Sequence, residues 1–420
     1  MMSSGEMQLM VDSEQFPLGW EIKKLVDVTE LITCGVAKRP DYVDTGVPFL
    51  SAKNVKNGQV IWDDYKYISE ETHFQLTKNN KPRKGDILYT RVGSFGEAAI
   101  IDDDIEFSIF VSLTLIKTKS EILNSFLKYY LNSNTVKTLA KNSISGSGVG
   151  NLNVGTVRNF LVPVPPLAEQ KRIVAILDEA FEGCDRAIRN TEKNLANARE
   201  LFESYLNAIF TQKVDGWDWV TLSEITTDIT DGDHQPPPKS ESGIPFITIS
   251  NIDKQNRKVD FSNTFKVSSE YFEKLKVNRK PRKGDLLYTV TGSYGIPVVV
   301  DHDMNFCFQR HIGLIRPNDE INPKCLYYIL LSRCLLNQAD ECATGTAQKT
   351  VSLSGLRRFS VPKIPKEEQE IIVAKLDIIS EQISSLETIY RQKLTALKEL
   401  KQSILQKAFT GELTADKEIA

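Results

Sequence analysis

Residues 166–210 read PLAEQKRIVAILDEAFEGCDRAIRNTEKNLANARELFESYLNAIF. Leu177, Phe181, Cys184, Ile188, Thr191, Leu195, Ala198, Phe202, Tyr205 and Ile209 recur there at alternating steps of four and three. That spacing is the seam of a long helix packed on another helix. After Pro166 the run has no proline and a single glycine, Gly183, so nothing in it forces a break. At about 1.5 Å per residue the helix would reach roughly 60 Å. A helix of that length cannot bury its stripe against itself and requires a partner.

The chain supplies one. Residues 365–409, PKEEQEIIVAKLDIISEQISSLETIYRQKLTALKELKQSILQKAF, repeat the opening of the first stretch: Pro166, Glu169, Gln170, Ile173, Val174, Ala175, Leu177 and Asp178 return as Pro365, Glu368, Gln369, Ile372, Val373, Ala374, Leu376 and Asp377, each 199 positions on. The second seam is Ile372, Leu376, Ile379, Ile383, Leu386, Tyr390, Leu394 and Leu397, slipping by one position near Leu400 before Ile404. Two helices of equal length can lie side by side.

The same offset recurs outside the helices. The ten residues from Lys81 (KPRKGDILYT) return from Lys280 (KPRKGDLLYT), and Gly93-Ser-Phe-Gly returns as Gly292-Ser-Tyr-Gly. Trp20 pairs with Trp219, Arg158 with Arg357 and Phe210-Thr211 with Phe409-Thr410. Gly46-Val-Pro-Phe pairs with Gly243-Ile-Pro-Phe at an offset of 197, so a two-residue length change precedes it. The chain is a tandem duplication: a first globular unit at 1–165, a helix at 166–212, a second unit at 213–364, a helix at 365–411 and a tail at 412–420. Short β-rich runs such as Ile87-Leu-Tyr-Thr and Phe246-Ile-Thr-Ile, broken by Gly, Asp and Asn, mix with helical segments near 69–76, 124–142, 268–275 and 323–342. Each unit is therefore expected to be α+β.

Of the 420 residues, 41% are hydrophobic and 25% charged, enough for two or more packed domains. No run approaches the roughly 18 apolar residues of a membrane span, and the polar start does not read as a signal peptide, so a cytoplasmic protein is expected. Cys34, Cys184, Cys307, Cys325, Cys334 and Cys342 show no Cys-x-x-Cys pair and read as free thiols. A net charge of −3 gives no general affinity for polyanions, so nucleic-acid binding would need local basic surface or partners.

The two copies differ where loops are polar. Arg91-Val-Gly-Ser-Phe-Gly faces Val290-Thr-Gly-Ser-Tyr-Gly; the segment from Ser143 to Asn153 (SISGSGVGNLN) faces that from Cys342 to Ser352 (CATGTAQKTVS); and Cys34-Gly-Val-Ala-Lys-Arg-Pro faces Asp231-Gly-Asp-His-Gln-Pro-Pro. The shared Lys-Pro-Arg-Lys-Gly-Asp run reads as turn chemistry, the alternative being phosphate contact by Lys81, Arg83, Lys84, Lys280, Arg282 and Lys283. Divergent loops on a kept scaffold suit two readers of different targets, with donors and acceptors set against base edges. Plain solvated loops are the alternative.

These residues together resemble the specificity subunits of type I restriction-modification enzymes. The carriers are Glu169-Gln170 and Glu368-Gln369 with the Ala-x-Leu-Asp that follows each, the closing Phe409-Thr-Gly-Glu-Leu, the Lys-Gly-Asp strand starts and Asp231-Gly-Asp-His-Gln-Pro. The first helix departs from the pattern, closing with Phe210-Thr-Gln-Lys-Val, so its last turn is expected to cap differently. The resemblance implies two target-recognition domains, each followed by a long helix, the helices paired as an antiparallel coiled coil that sets the spacer of a split DNA site. It implies no catalysis and no cofactor on this chain. Double-stranded DNA, two modification subunits carrying S-adenosylmethionine, and two restriction subunits using ATP and Mg are its implied partners, with no membrane. Candidate DNA contacts are Lys53, Asn54, Arg91, Ser94, Ser145 and Asn151 for one half-site. For the other they are Asn251, Thr291, Ser293, Thr346, Gln348 and Lys349, with His234 and Gln235 behind them. The candidate helix-pair positions are Leu177, Phe181, Ile188, Leu195, Phe202, Leu376, Ile383, Leu386, Leu394 and Leu397.

Two rival readings stand against this one. A stand-alone methyltransferase would carry an Asn/Asp-Pro-Pro-aromatic tetrapeptide, which Gln235-Pro-Pro-Pro is not, and no Gly-x-x-x-x-Gly-Lys-Ser/Thr loop is present for ATP. Glu21-Ile-Lys23 alone does not make a nuclease site, and the four histidines have no paired ligand spacing. A coiled-coil scaffold that never touches DNA accounts for the seams but not for the duplicated units with divergent loops.

Overall fold

A computed structural model describes residues 17–93, 95–144, 150–211, 216–346 and 348–415. Contacts divide the chain into two units: one takes the described residues up to Thr191 together with those from Gln392 on, the other spans Glu192–Arg391.

The core of the first unit is an antiparallel four-stranded sheet of β1 (Thr29–Cys34), β2 (Ile87–Thr90), β3 (Ala98–Ile100) and β4 (Leu113–Thr118), in the order β1-β4-β2-β3. All four residues of β2 are buried, which is why the sequence there is apolar without alternation. The Lys-Gly-Asp turn before it is held by Asp86, whose carboxylate accepts the Arg83 backbone N–H at 2.8 Å and pairs with Lys117. The second unit repeats the plan with β5 (Thr226–Asp231), β6 (Leu286–Thr289), β7 (Pro297–Val299) and β8 (Ile312–Pro317), ordered β5-β8-β6-β7. Asp285 accepts from Arg282 N–H at 2.9 Å and from two Arg316 nitrogens at 2.8 and 2.9 Å. The Gly-Asp of the shared run is thus turn framework in both copies, while the Arg83, Lys84, Arg282 and Lys283 side chains are exposed.

Two helices of 45 residues follow the globular parts: α1, Leu167–Thr211, and α2, Lys366–Thr410. Each start is fixed by a buried glutamine. Gln170 accepts Leu123 N–H at 2.8 Å and donates to the carbonyls of Glu121 and Pro165, both at 2.9 Å. Gln369 does the same 199 positions later with Asn322 N–H at 2.7 Å and the carbonyls of Glu320 and Ile364 at 2.9 and 2.7 Å. Two turns on, Asp178 accepts from Tyr129 Oη and Asp377 from Tyr328 Oη, at 2.6 and 2.7 Å. The repeated Gln and Asp therefore weld each helix to the domain before it.

The first half of α1 meets the last turns of α2 within the first unit. Ile173 and Leu177 share a core with Leu405, Ala408 and Phe409, while further along α1 Asp185 pairs with Lys401 at 2.7 Å, so the segments run antiparallel. In the second unit the end of α1 joins the start of α2: Leu206 and Phe210 share a core with Val373 and Leu376, and Arg199 forks onto Glu387 at 2.9 and 3.3 Å.

The α1 positions Leu177, Cys184, Thr191 and Ala198 are buried, with Phe181, Ile188, Leu195 and Phe202 half-buried between them. Beyond Phe202 the seam advances by fours to Leu206 and Phe210, leaving Tyr205 exposed. On α2, Leu376 is buried and Ile383, Leu394 and Leu397 are half-buried. Leu386 corrects the expected seam: it is 38% exposed, because Glu387 turns inward to receive Arg199. Gly411 ends α2 at φ +83°, and a Cβ there would lie 2.2 Å from Pro17. The corresponding close of α1 lies outside the described residues.

All six cysteines are free thiols. Burial pushes Cys307 and Cys325 up to about 12, so both stay protonated and unreactive.

Candidate nucleic-acid interface

The loops that differ between the copies hang from identical backbone knots. In the first unit Arg91 N–H bonds Ser112 O at 3.0 Å and Leu152 N–H bonds Arg91 O at 2.9 Å, tying the 150s loop to the strand end. The turn at 110–112 is closed by Val111 N–H to Val36 O at 2.9 Å and Leu113 N–H to Phe110 O at 2.9 Å. The second unit repeats every one of these: Val290 N–H to His311 O at 3.0 Å, Val351 N–H to Val290 O at 2.8 Å, Arg310 N–H to Asp233 O at 3.0 Å and Ile312 N–H to Gln309 O at 3.1 Å. Gly35 and Gly232 are required at the third edge of this frame, since a Cβ would come within about 2 Å of the Ile109 and Phe308 carbonyl oxygens respectively.

The side chains carried by this frame are not alike. In the first unit Arg91 turns inward, 6% exposed, and donates to Leu152 O at 2.8 Å, Val111 O at 3.0 Å and Asn151 Oδ1 at 3.0 Å. Its expected place as a base reader is corrected to that of a clamp joining loop and turn. In the second unit Val290 stands there instead, and a cleft of about 370 Å³ opens beside it, walled in part by Asp231, Thr291, Arg310, His311, Gln348 and Thr350. Asp231 Oδ2 meets His234 Nε2 at 2.9 Å and Oδ1 accepts from Arg279 at 3.2 Å, which fixes the Asp-Gly-Asp-His loop.

Residues 17–197 and 215–396 each match the family model for the type I restriction modification DNA specificity domain. The chain belongs to that family.

Among curated relatives, the specificity subunit of the Escherichia coli enzyme EcoBI is 28% identical over 297 residues, 64% of this chain and 61% of that one. The putative MjaX specificity subunit of Methanocaldococcus jannaschii is 23% identical over 95% of each chain. The E. coli EcoKI specificity subunit is 23% identical over 96% of this chain and 90% of that one. A chain from a solved type I restriction-modification assembly shares the fold at TM-score 0.74 and 23% identity, covering 95% of this chain and 99% of that one. The crystal structure of an HsdS subunit from Thermoanaerobacter tengcongensis, also 23% identical, superposes at TM-score 0.55 over 95% and 98%.

Several expected contacts of this specificity-family chain prove to be framework. Asn54 is fully buried, accepting Ser51 N–H at 3.0 Å and donating to the carbonyls of Ile61 and Asp63. Asn251 repeats this with Thr248 N–H at 2.9 Å and the Asp260 and Asn263 carbonyls. Both are corrected from base contacts to turn closers. Thr291 is buried and bridges to Thr350, so it too is framework. Asn151 is exposed but its amide oxygen is taken by Arg91, and Lys53 pairs with Asp64 at 2.8 Å. Ser94 and Ser145 lie outside the described residues. His234, Gln235, Ser293, Thr346, Gln348 and Lys349 are exposed, and Ser293 accepts from Lys254 Nζ at 2.7 Å.

Sequence reading missed Gln309-Arg-His311, which stands where the first copy has Phe110-Val-Ser112. The signal was available at the same 199-residue offset: an apolar pair replaced by an amide and a guanidinium. Gln309 Nε2 donates to His311 Nδ1 at 3.1 Å, and burial, followed by the Arg310 charge, lowers the His311 pKa.

Proposed function

We propose that this chain is the DNA-reading, non-catalytic subunit of a type I restriction-modification complex. Each globular unit reads one half of a split, asymmetric sequence, and the helix pair, acting as a coiled coil, sets the spacer and docks two modification subunits. S-adenosylmethionine belongs to those subunits, and ATP and Mg to restriction subunits that complete the complex in the cytoplasm. The observation that carries this reading is the backbone frame common to the two copies bearing unlike side chains, Arg91 against Val290 and Val111-Ser112 against Arg310-His311. A scaffold that only joined proteins would have no need to vary side chains at the mouth of one frame while keeping its knots. Family membership supports the same conclusion. With a net charge of −3, non-specific phosphate affinity would come largely from the partners.

Co-expression of the chain with a cognate modification subunit, followed by single-molecule mapping of methylated adenines, tests this directly. A split motif that appears only when the chain is present is the expected result. Methylation without any motif, from subunits that are soluble and associated, would refute it.

A further inference from the structure

We infer that the cleft of the second unit is a guanine-reading site whose two donors are the Arg310 guanidinium and the His311 imidazole. The assignment rests on the proposed function, since it presumes that this unit reads half of a DNA site.

The comparison of the two copies carries it. Where the Arg91 guanidinium lies across the first unit, bound to Val111 O, Leu152 O and Asn151 Oδ1, the second unit has a valine and open space. A cationic side chain has moved from the floor of the frame to its rim: Arg310 occupies the position of Val111. Its backbone is held by its own N–H to Asp233 O at 3.0 Å and by those of its neighbours, Gln309 N–H to Ile247 O at 3.0 Å and Ile312 N–H to Gln309 O at 3.1 Å. The residue itself is exposed. A donor fork on a pinned turn is preorganised for a partner outside the chain.

His311 adds the second donor. The Gln309 amide donates to Nδ1, so the ring proton of the neutral imidazole sits on Nε2. Asp231, the carboxylate of the cleft, is held on its wall by His234 at one oxygen and Arg279 at the other. The cleft therefore offers two adjacent donors. In the major groove guanine presents N7 and O6, two acceptors, whereas adenine sets a donor beside its acceptor and cytosine presents a donor. Phosphate oxygens also accept from arginine, and the test separates the two.

The full-length chain would be co-expressed with its modification subunit as wild type, Arg310→Ala and Arg310→Lys, and the methylated motif of each mapped by sequencing. Arg310→Ala is expected to leave one half-site and the spacer unchanged while a guanine at one position of the other half becomes any base, its preference falling about ten- to hundredfold. The intact half-site reports that the variant is folded. Arg310→Lys, which keeps the charge but loses the bidentate fork, should relax the same position. An unchanged motif overturns the assignment, as does methylation reduced equally at all sequences with the guanine preference kept, which is the mark of a phosphate contact. A wild-type complex that writes no split motif removes the proposed function and this assignment with it, so the wild-type arm tells the two failures apart.

Discussion

Arg91 bonds three acceptors with one guanidinium, and at the fully buried Leu152 the carbonyl has no substitute from water. Arg91→Ala strips the Leu152 carbonyl of its side-chain partner and frees the loop from the 110–112 turn. A loss of about 2 to 3 kcal/mol is expected from hydrogen bonds to a charged group, read as a lowered urea midpoint with unchanged slope. Recognition of the first half-site should weaken with it while the second is untouched. His73 gives the same unit a pH dependence. It is buried with Nδ1 2.9 Å from Ser108 Oγ, and desolvation holds its pKa below the ordinary 6.5 despite the opposing pull of Glu106. The unfolded chain then takes up a proton before the folded one does, so stability is complete above about pH 6.5 and declines as the pH falls through that value towards the folded pKa. His73→Gln should flatten that decline in denaturation midpoints measured from pH 7 to 5; a slope identical to wild type would assign it to another group. At this scale the sequence was least legible. Asn54, Asn251, Arg91 and Thr291 are polar residues among loop formers, and nothing in composition distinguishes a side chain that closes its own turn from one that faces outward.

The helices were legible almost to the residue, because proline, a 3.5-residue period and an internal repeat agree on their bounds. What periodicity could not foresee was the local exchange at Leu386 and Glu387, where an ion pair rather than an apolar contact occupies the seam. Nor could it tell what the repeated Phe-Thr endings do. Phe409, at the end of α2, lies edge-on to Phe126 and Tyr130 with ring centroids 5.3 and 5.1 Å apart, in the core of the first unit. Phe210, at the end of α1, is wholly buried in the core of the second. Each helix begins welded to one globular part and ends as core of the other. Phe409→Ala should therefore cost about 3 to 5 kcal/mol, and hydrogen exchange should show protection lost first between residues 17 and 191 although the substitution lies near the other end of the sequence. Loss confined to the 300s would contradict this account.

For the molecule as a whole, the duplication was readable because it keeps register over 199 residues, and the strand orders β1-β4-β2-β3 and β5-β8-β6-β7 follow from it. The function proposed for α1 and α2 makes a geometric prediction. One heptad added to each helix at facing positions lengthens the rise by about 10 Å, roughly three base pairs of duplex at about 3.4 Å each. The mapped motif should gain about that much spacer with both half-sites unchanged; an unaltered spacer would remove the ruler role. The division of the chain has a further consequence for how it is made. The first unit is closed by residues from Gln392 on, about 200 positions after Thr191. At about 5 to 20 residues per second a ribosome needs roughly 10 to 40 s to deliver them. Through that interval Ile173, Leu177, Phe126 and Tyr130 are without Leu405, Ala408 and Phe409, so the half of the protein synthesised first is the half that finishes folding last.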